Sequence, residues 1–140
     1  MGVMTSFFLA DPTLISTFNR DFVPLAFQPR IDVTGITTLE LSTLLAIMSG
    51  QAYEIRIMDQ FIPIIEEETG CWLYQIPNTF VTALAQTSET AVKNFAEAWL
   101  ATDELVDAAP PAIEALLIRL HQLGIQATNE QKVLLLWFQL

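Results

Sequence analysis

Cationic side chains are what this sequence has least of. Six Lys and Arg stand against sixteen Asp and Glu, a net charge of -10. Binding a phosphate backbone needs clustered Lys and Arg, whereas Arg20, Arg30, Arg56, Lys93, Arg119 and Lys132 are scattered. Nucleic acid is therefore excluded as an expected partner. Charge of either sign is thin, at 16% of residues, while 52% are apolar. Cysteine occurs once, as Cys71, which rules out an internal disulfide and a multi-cysteine metal site. No basic residue or histidine stands near it in sequence to activate the thiol, so a buried structural role is expected. With only five glycines there is no glycine-rich phosphate loop, and neither His-Glu-x-x-His nor Gly-x-Ser-x-Gly occurs. Long apolar runs are missing too. Val133–Phe138 is too short to span a bilayer, and Phe7–Ala10 is too short for a signal-peptide core, with no basic residue before Arg20. No membrane association is expected, and a cytoplasmic location is the default.

What is present is a dense set of packing signals. A chain of 140 residues suits a single domain, 1-140, with a real core. Val3–Ala10 is rich in strand formers and runs into Asp11-Pro12, an N-cap followed by proline at the first helical position. A short amphipathic helix carrying Leu14, Ile15 and Phe18 follows, to about Arg20. Residues 21-35 contain Pro24, Pro29 and Gly35 and hold no sustained period, so they read as an irregular loop. Its Phe22, Val23, Leu25 and Phe27 are expected to pack onto the body. Thr37 and Glu40 have capping-box spacing, and the helix they open places Leu41, Leu44, Leu45 and Met48 on one face before Gly50 ends it.

Residues 51-61 satisfy two periods. Ile55, Met58 and Phe61 suit a helix, while Tyr53, Ile55 and Ile57 alternate as in a strand; helix is the expectation, ended by Pro63. The run Glu66-Glu67-Glu68 could supply oxygen ligands to a cation. Adjacent carboxylates point different ways, however, and a solvated turn is the better reading. Cys71–Ile76 reads as a strand between Gly70 and Pro77, and a helix with Phe80, Val81, Leu84 and Ala85 follows. Ser88 caps the segment to Leu105, where Val92, Phe95, Ala96 and Trp99 make the stripe of a central core helix, with a second short helix from Thr102. Beyond Pro110-Pro111, Ile113, Leu116, Leu117, Leu120 and Leu123 form another stripe, reaching Thr128 at the furthest, and Lys132–Leu140 reads as a buried strand. The fold class expected is α+β, mainly helical: four to six helices packed with a small sheet of about three short strands, including the N- and C-terminal segments.

The order MGVMTSFFLADPTLI, a leucine-rich helix ending at Gly50, IPNTFVTALA, AWLATDEL, a second leucine helix and KVLLLWFQL resembles small uncharacterised bacterial proteins of the YfbM-like type. That resemblance implies the same order of elements and carries no activity, cofactor or site residue with it.

Few residues suggest chemistry. His121 lies off the leucine stripe of its helix, where a half-exposed structural histidine is the ordinary reading, and no catalytic, cofactor-binding or metal-binding residue is assigned. Trp72, Trp99 and Trp137 suit a core better than a pocket. The functional expectation is a non-enzymatic, acidic protein-interaction domain, regulatory or toxin-neutralising, with a basic protein or a second copy of the chain as partner. The alternative is a small-molecule-binding protein or enzyme with a pocket under the 21-35 loop, for which Tyr53, Arg56, Tyr74 and His121 are the polar candidates.

Overall fold

In the computed structural model, residues 3-19, 22, 24-66 and 70-139 are described. Five strands, rather than three, form one antiparallel sheet: β1 (Met4–Ala10), β2 (Arg30–Thr34), β3 (Ile62–Glu66), β4 (Cys71–Gln75) and β5 (Val133–Gln139). Their spatial order is β2-β1-β5-β4-β3. The two apolar strands nearest the chain ends, β1 and β5, thus lie in the interior of the sheet, consistent with their almost continuous burial. The two strands not expected are its edges. β2 lies inside the segment read as a loop. β3 contains Pro63, which an edge strand tolerates because its outward N–H has no ladder partner to lose.

Four α-helices pack on one face: α1 (Thr38–Ser49), α2 (Asn78–Gln86), α3 (Glu89–Leu100) and α4 (Pro110–Glu130). Short 3-10 helices occupy Pro12–Thr17, Pro24–Ala26, Ile55–Gln60 and Asp103–Leu105, so the helix expected over 51-61 shrinks to a 3-10 segment. The caps follow the local chemistry. Asp11 accepts from the Thr13 N–H, Thr37 and Glu40 form a reciprocal capping box, Gly50 takes the left-handed conformation at φ 68°, and Ser88 accepts from the Ala91 N–H.

The stripe on α3 buries Val92, Ala96 and Trp99 as expected, yet α3 is not the centre of the helical layer. That role is shared. α1 is buried nearly all round, including Ser42 and Thr43, whose hydroxyls donate back to the Leu39 and Glu40 carbonyls. α4 runs against β1, β2 and β5 and against α2 and α3. It also extends to Glu130, past Thr128, and ends on Gln131 in the left-handed region at φ 55°.

Each strand has two sides, so the sheet has two cores. Phe7, Leu9, Ile31, Leu134, Leu136 and Phe138 face the helices. Phe8, Ala10, Cys71, Leu73, Val133, Leu135 and Trp137 face the other way. Among the described residues no α-helix covers that second face. The crossing between β1 and β2 does: Ile15, Phe18, Phe22 and Phe27 pack down on it, with the Phe8 ring centroid 4.7 Å from Phe27 and 5.6 Å from Phe22. The segment read as a loop over 21-35 is therefore a packed aromatic cover that ends in an edge strand. Val23, and the side chain of Leu25, lie outside what is described.

Candidate ligand groove on the second sheet face

The aromatic cover sits over Phe8 and Ala10 and stops short of the opposite end of β1. Antiparallel register determines what is left uncovered. Ser6 stands opposite Asp32 on β2 and Trp137 on β5, and Met4 stands opposite Thr34 and Gln139. These six residues form two rows of three on one side of the sheet, since residues two apart on a strand share a face. With Pro24 from the rim of the cover, and Thr5 and Val33, they line a groove of about 440 Å³. That volume falls in the range of small-molecule sites.

Ser6 and Trp137 make the floor and are buried, at 5% exposure each, while Met4, Asp32, Thr34 and Gln139 form an open rim. The Ser6 hydroxyl donates to Asp32 Oδ1 at 2.6 Å, and Arg30 Nε donates to both Asp32 oxygens at 3.0 and 3.1 Å. Partial desolvation opposes ionisation of Asp32. The hydrogen bonds from Ser6 and Arg30, with the charges of Arg30 and Arg119, outweigh it and hold the carboxyl below its ordinary range. Whatever this network adds to stability is present above the carboxyl's unfolded value of 3.8 and is lost as the pH falls below it. Arg119 reaches the same corner from α4, donating to the Arg30 carbonyl at 3.2 Å.

Trp137 is different. Its indole Nε1 is the one buried side-chain N or O among the described residues that lacks a hydrogen-bond partner. An indole N–H can only donate, and leaving a buried donor unmet costs about 1–3 kcal/mol. Such groups are uncommon enough that each calls for a reason.

The polar residues singled out from sequence do not gather here. Tyr53 lies before the 3-10 segment with its hydroxyl 3.4 Å from Ser42 Oγ. Arg56 lines a separate, exposed groove with Gln51, Ala52, Glu54, Ile57 and Gln60, and its Nε donates to Glu54 at 2.6 Å. Tyr74 stacks on Phe138 on the helix-facing side and donates to Glu66 at 3.3 Å; burial first, and the Glu66 charge second, push its phenol above the ordinary value. His121 donates from Nδ1 to the Leu84 carbonyl at 2.6 Å, satisfying a last-turn acceptor of α2. Its role there is to join two helices.

Cys71 is buried at the start of β4, paired in register with Gln139 at the end of β5. Among the described residues no cluster of three or more His, Cys, Asp or Glu could hold a metal, and Glu67 and Glu68 of the acidic turn lie outside them. No described helix is long and apolar enough to cross a membrane.

Sequence reasoning missed Met4, Ser6, Asp32 and Thr34 as a group. One signal was available: Ser6, with Thr5, puts a hydroxyl inside a strand that is otherwise apolar. What brings it to Asp32 and Trp137 is strand register, which depends on partners 26 and 131 residues away. No family model, curated protein or solved structure matches the chain. The YfbM-like resemblance thus has only the order of elements behind it.

Proposed function

We propose that this chain is a small-molecule-binding protein whose site is the groove between Pro24 and the uncovered end of β2-β1-β5. The observation that carries this reading is a groove of ligand size whose buried floor sets a hydroxyl, Ser6, beside an aromatic residue, Trp137. Ligand pockets combine apolar walls with a few placed polar groups, and here Met4, Pro24 and the Trp137 ring surround Ser6 and Asp32. The reading favours the pocket alternative over the protein-interaction domain, because it uses a specific lined groove rather than overall charge.

The test is a fragment screen read by the indole N–H resonances of the three tryptophans. Hits are expected to shift the Trp137 signal saturably and to be lost when Thr34→Trp fills the groove. Hits that move only Trp72 or Trp99, or that survive Thr34→Trp, would sink the assignment.

A further inference from the structure

Resting on that reading, we infer that the groove takes an organic ammonium: a protonated amine that donates to the Asp32 carboxylate, with an apolar body against Met4 and Pro24. Three features argue for it. The Ser6–Asp32 pair can only accept. Ser6 spends its one hydroxyl hydrogen on Asp32 Oδ1, which leaves both residues with lone pairs only, so their complement is a ligand N–H or O–H.

Next, the Arg30–Asp32 pair turns its anion outward. The Arg30 side chain is 16% exposed, and its Nη1 donates to the Pro24 carbonyl. The Asp32 side chain is 57% exposed and lines the groove, with Oδ1 held 2.6 Å from the Ser6 hydroxyl of the floor. Among the described residues Oδ2 accepts from Arg30 Nε alone, a hydrogen it shares with Oδ1, so it has room for a second donor. The pair is neutral at a distance, yet an ammonium hydrogen-bonded to Oδ2 stands closer to the carboxylate than to the guanidinium, and attraction wins at contact. Arg119 is the weaker of the two arginine charges that act on Asp32, and it does not line the groove. Finally, a net charge of -10 draws cations toward the chain and turns anions away.

Three probes of one size separate the chemistries: benzylammonium, benzyl alcohol and benzoate, titrated against the full chain at neutral pH and followed by ligand-observed NMR. Benzylammonium is expected to bind about tenfold more tightly than benzyl alcohol, since a charge-assisted hydrogen bond is about twice as strong as a neutral one. Benzoate should bind more weakly than either. Asp32→Asn removes the charge and keeps an oxygen that can accept from Ser6. It should weaken benzylammonium about tenfold and benzyl alcohol no more than about twofold. Thr34→Trp fills the groove and should abolish the binding of both. Benzyl alcohol or benzoate binding ahead of benzylammonium, and lost in Thr34→Trp, overturns the ammonium inference while leaving the groove as a site. Asp32→Asn binding benzylammonium as well as the natural chain overturns it in the same way. Benzylammonium binding that survives Thr34→Trp is attraction to the acidic surface at large, and it too overturns the inference. If Thr34→Trp removes the binding of none of the three probes, the inference and the groove reading fall together.

Discussion

At the scale of single residues, the tightest constraint is Gly124. A Cβ there would stand 2.9 Å from Leu84 Cβ and 3.2 Å from both the Ala85 N and the Val81 O. One turn earlier on α4, His121 donates to the Leu84 carbonyl, so the two residues mark the same close crossing of α2 and α4. Glycine inside a helix costs about 1 kcal/mol against alanine, and by that measure Gly124→Ala would stabilise. The atoms in the way belong to the α2 backbone and a Cβ, which cannot swing aside as a side-chain tip would. Overpacking costs of about 1–3 kcal/mol therefore win, and Gly124→Ala should lower the urea midpoint. A midpoint at or above that of the natural protein would show that α2 slides freely on α4. Gly124 follows the last leucine of its stripe, and the close approach of α2 that it permits depends on tertiary placement that helical spacing does not show. Trp99 was legible as core; its Nε1 bond to the Glu40 carbonyl across 59 positions was not.

At the scale of elements, what sequence revealed depended on how strongly each segment signals by itself. Helices with caps and stripes declared themselves: α1 by Thr37, Glu40 and Gly50, and α2, α3 and α4 by their spacing. So did the apolar strands β1 and β5. The edge strands stayed hidden because edges are short, half-exposed and tolerant of breakers. β2 buries only Ile31 fully among its five residues, and β3 carries Pro63 with Ile62 exposed. Residues 51-61 fit both the helix and the strand spacing, and the 3-10 segment they form at Ile55–Gln60, with three residues per turn, is neither an α-helix nor a strand. The central place of β5 yields a plain expectation. Removing residues 135-140 strips the ladder partners of Met4 to Phe8 on β1 and of all of β4, Cys71–Gln75, and separates the two halves of the sheet. The truncated protein should be insoluble on expression; a soluble truncation that melts cooperatively would refute the architecture.

At the scale of the whole molecule, charge works against the fold. Only three ion pairs occur among the described residues, Arg30–Asp32, Arg56–Glu54 and Lys132–Glu130, each between residues two apart on the chain. Local pairs of this kind contribute at most about 1 kcal/mol when exposed. Each pair is neutral, so the whole net charge of -10 remains as self-repulsion. Screening should therefore help. Raising NaCl from about 0.01 to 0.1 M shortens the Debye length from about 30 to about 10 Å, and the Tm should rise by a few degrees, measured by calorimetry at neutral pH. A Tm that falls with salt would mean that attractive pairs outweigh repulsion. The sheet order has one more consequence, in time rather than in space. β1 with β2, and β3 with β4, are hairpin-like pairs that can form early, but they become neighbours only through Val133–Gln139. During synthesis these half-sheets emerge from the ribosome with their inner edges bare, and the strand that joins them comes after both. Until it arrives, the nascent chain has reason to be held by a chaperone.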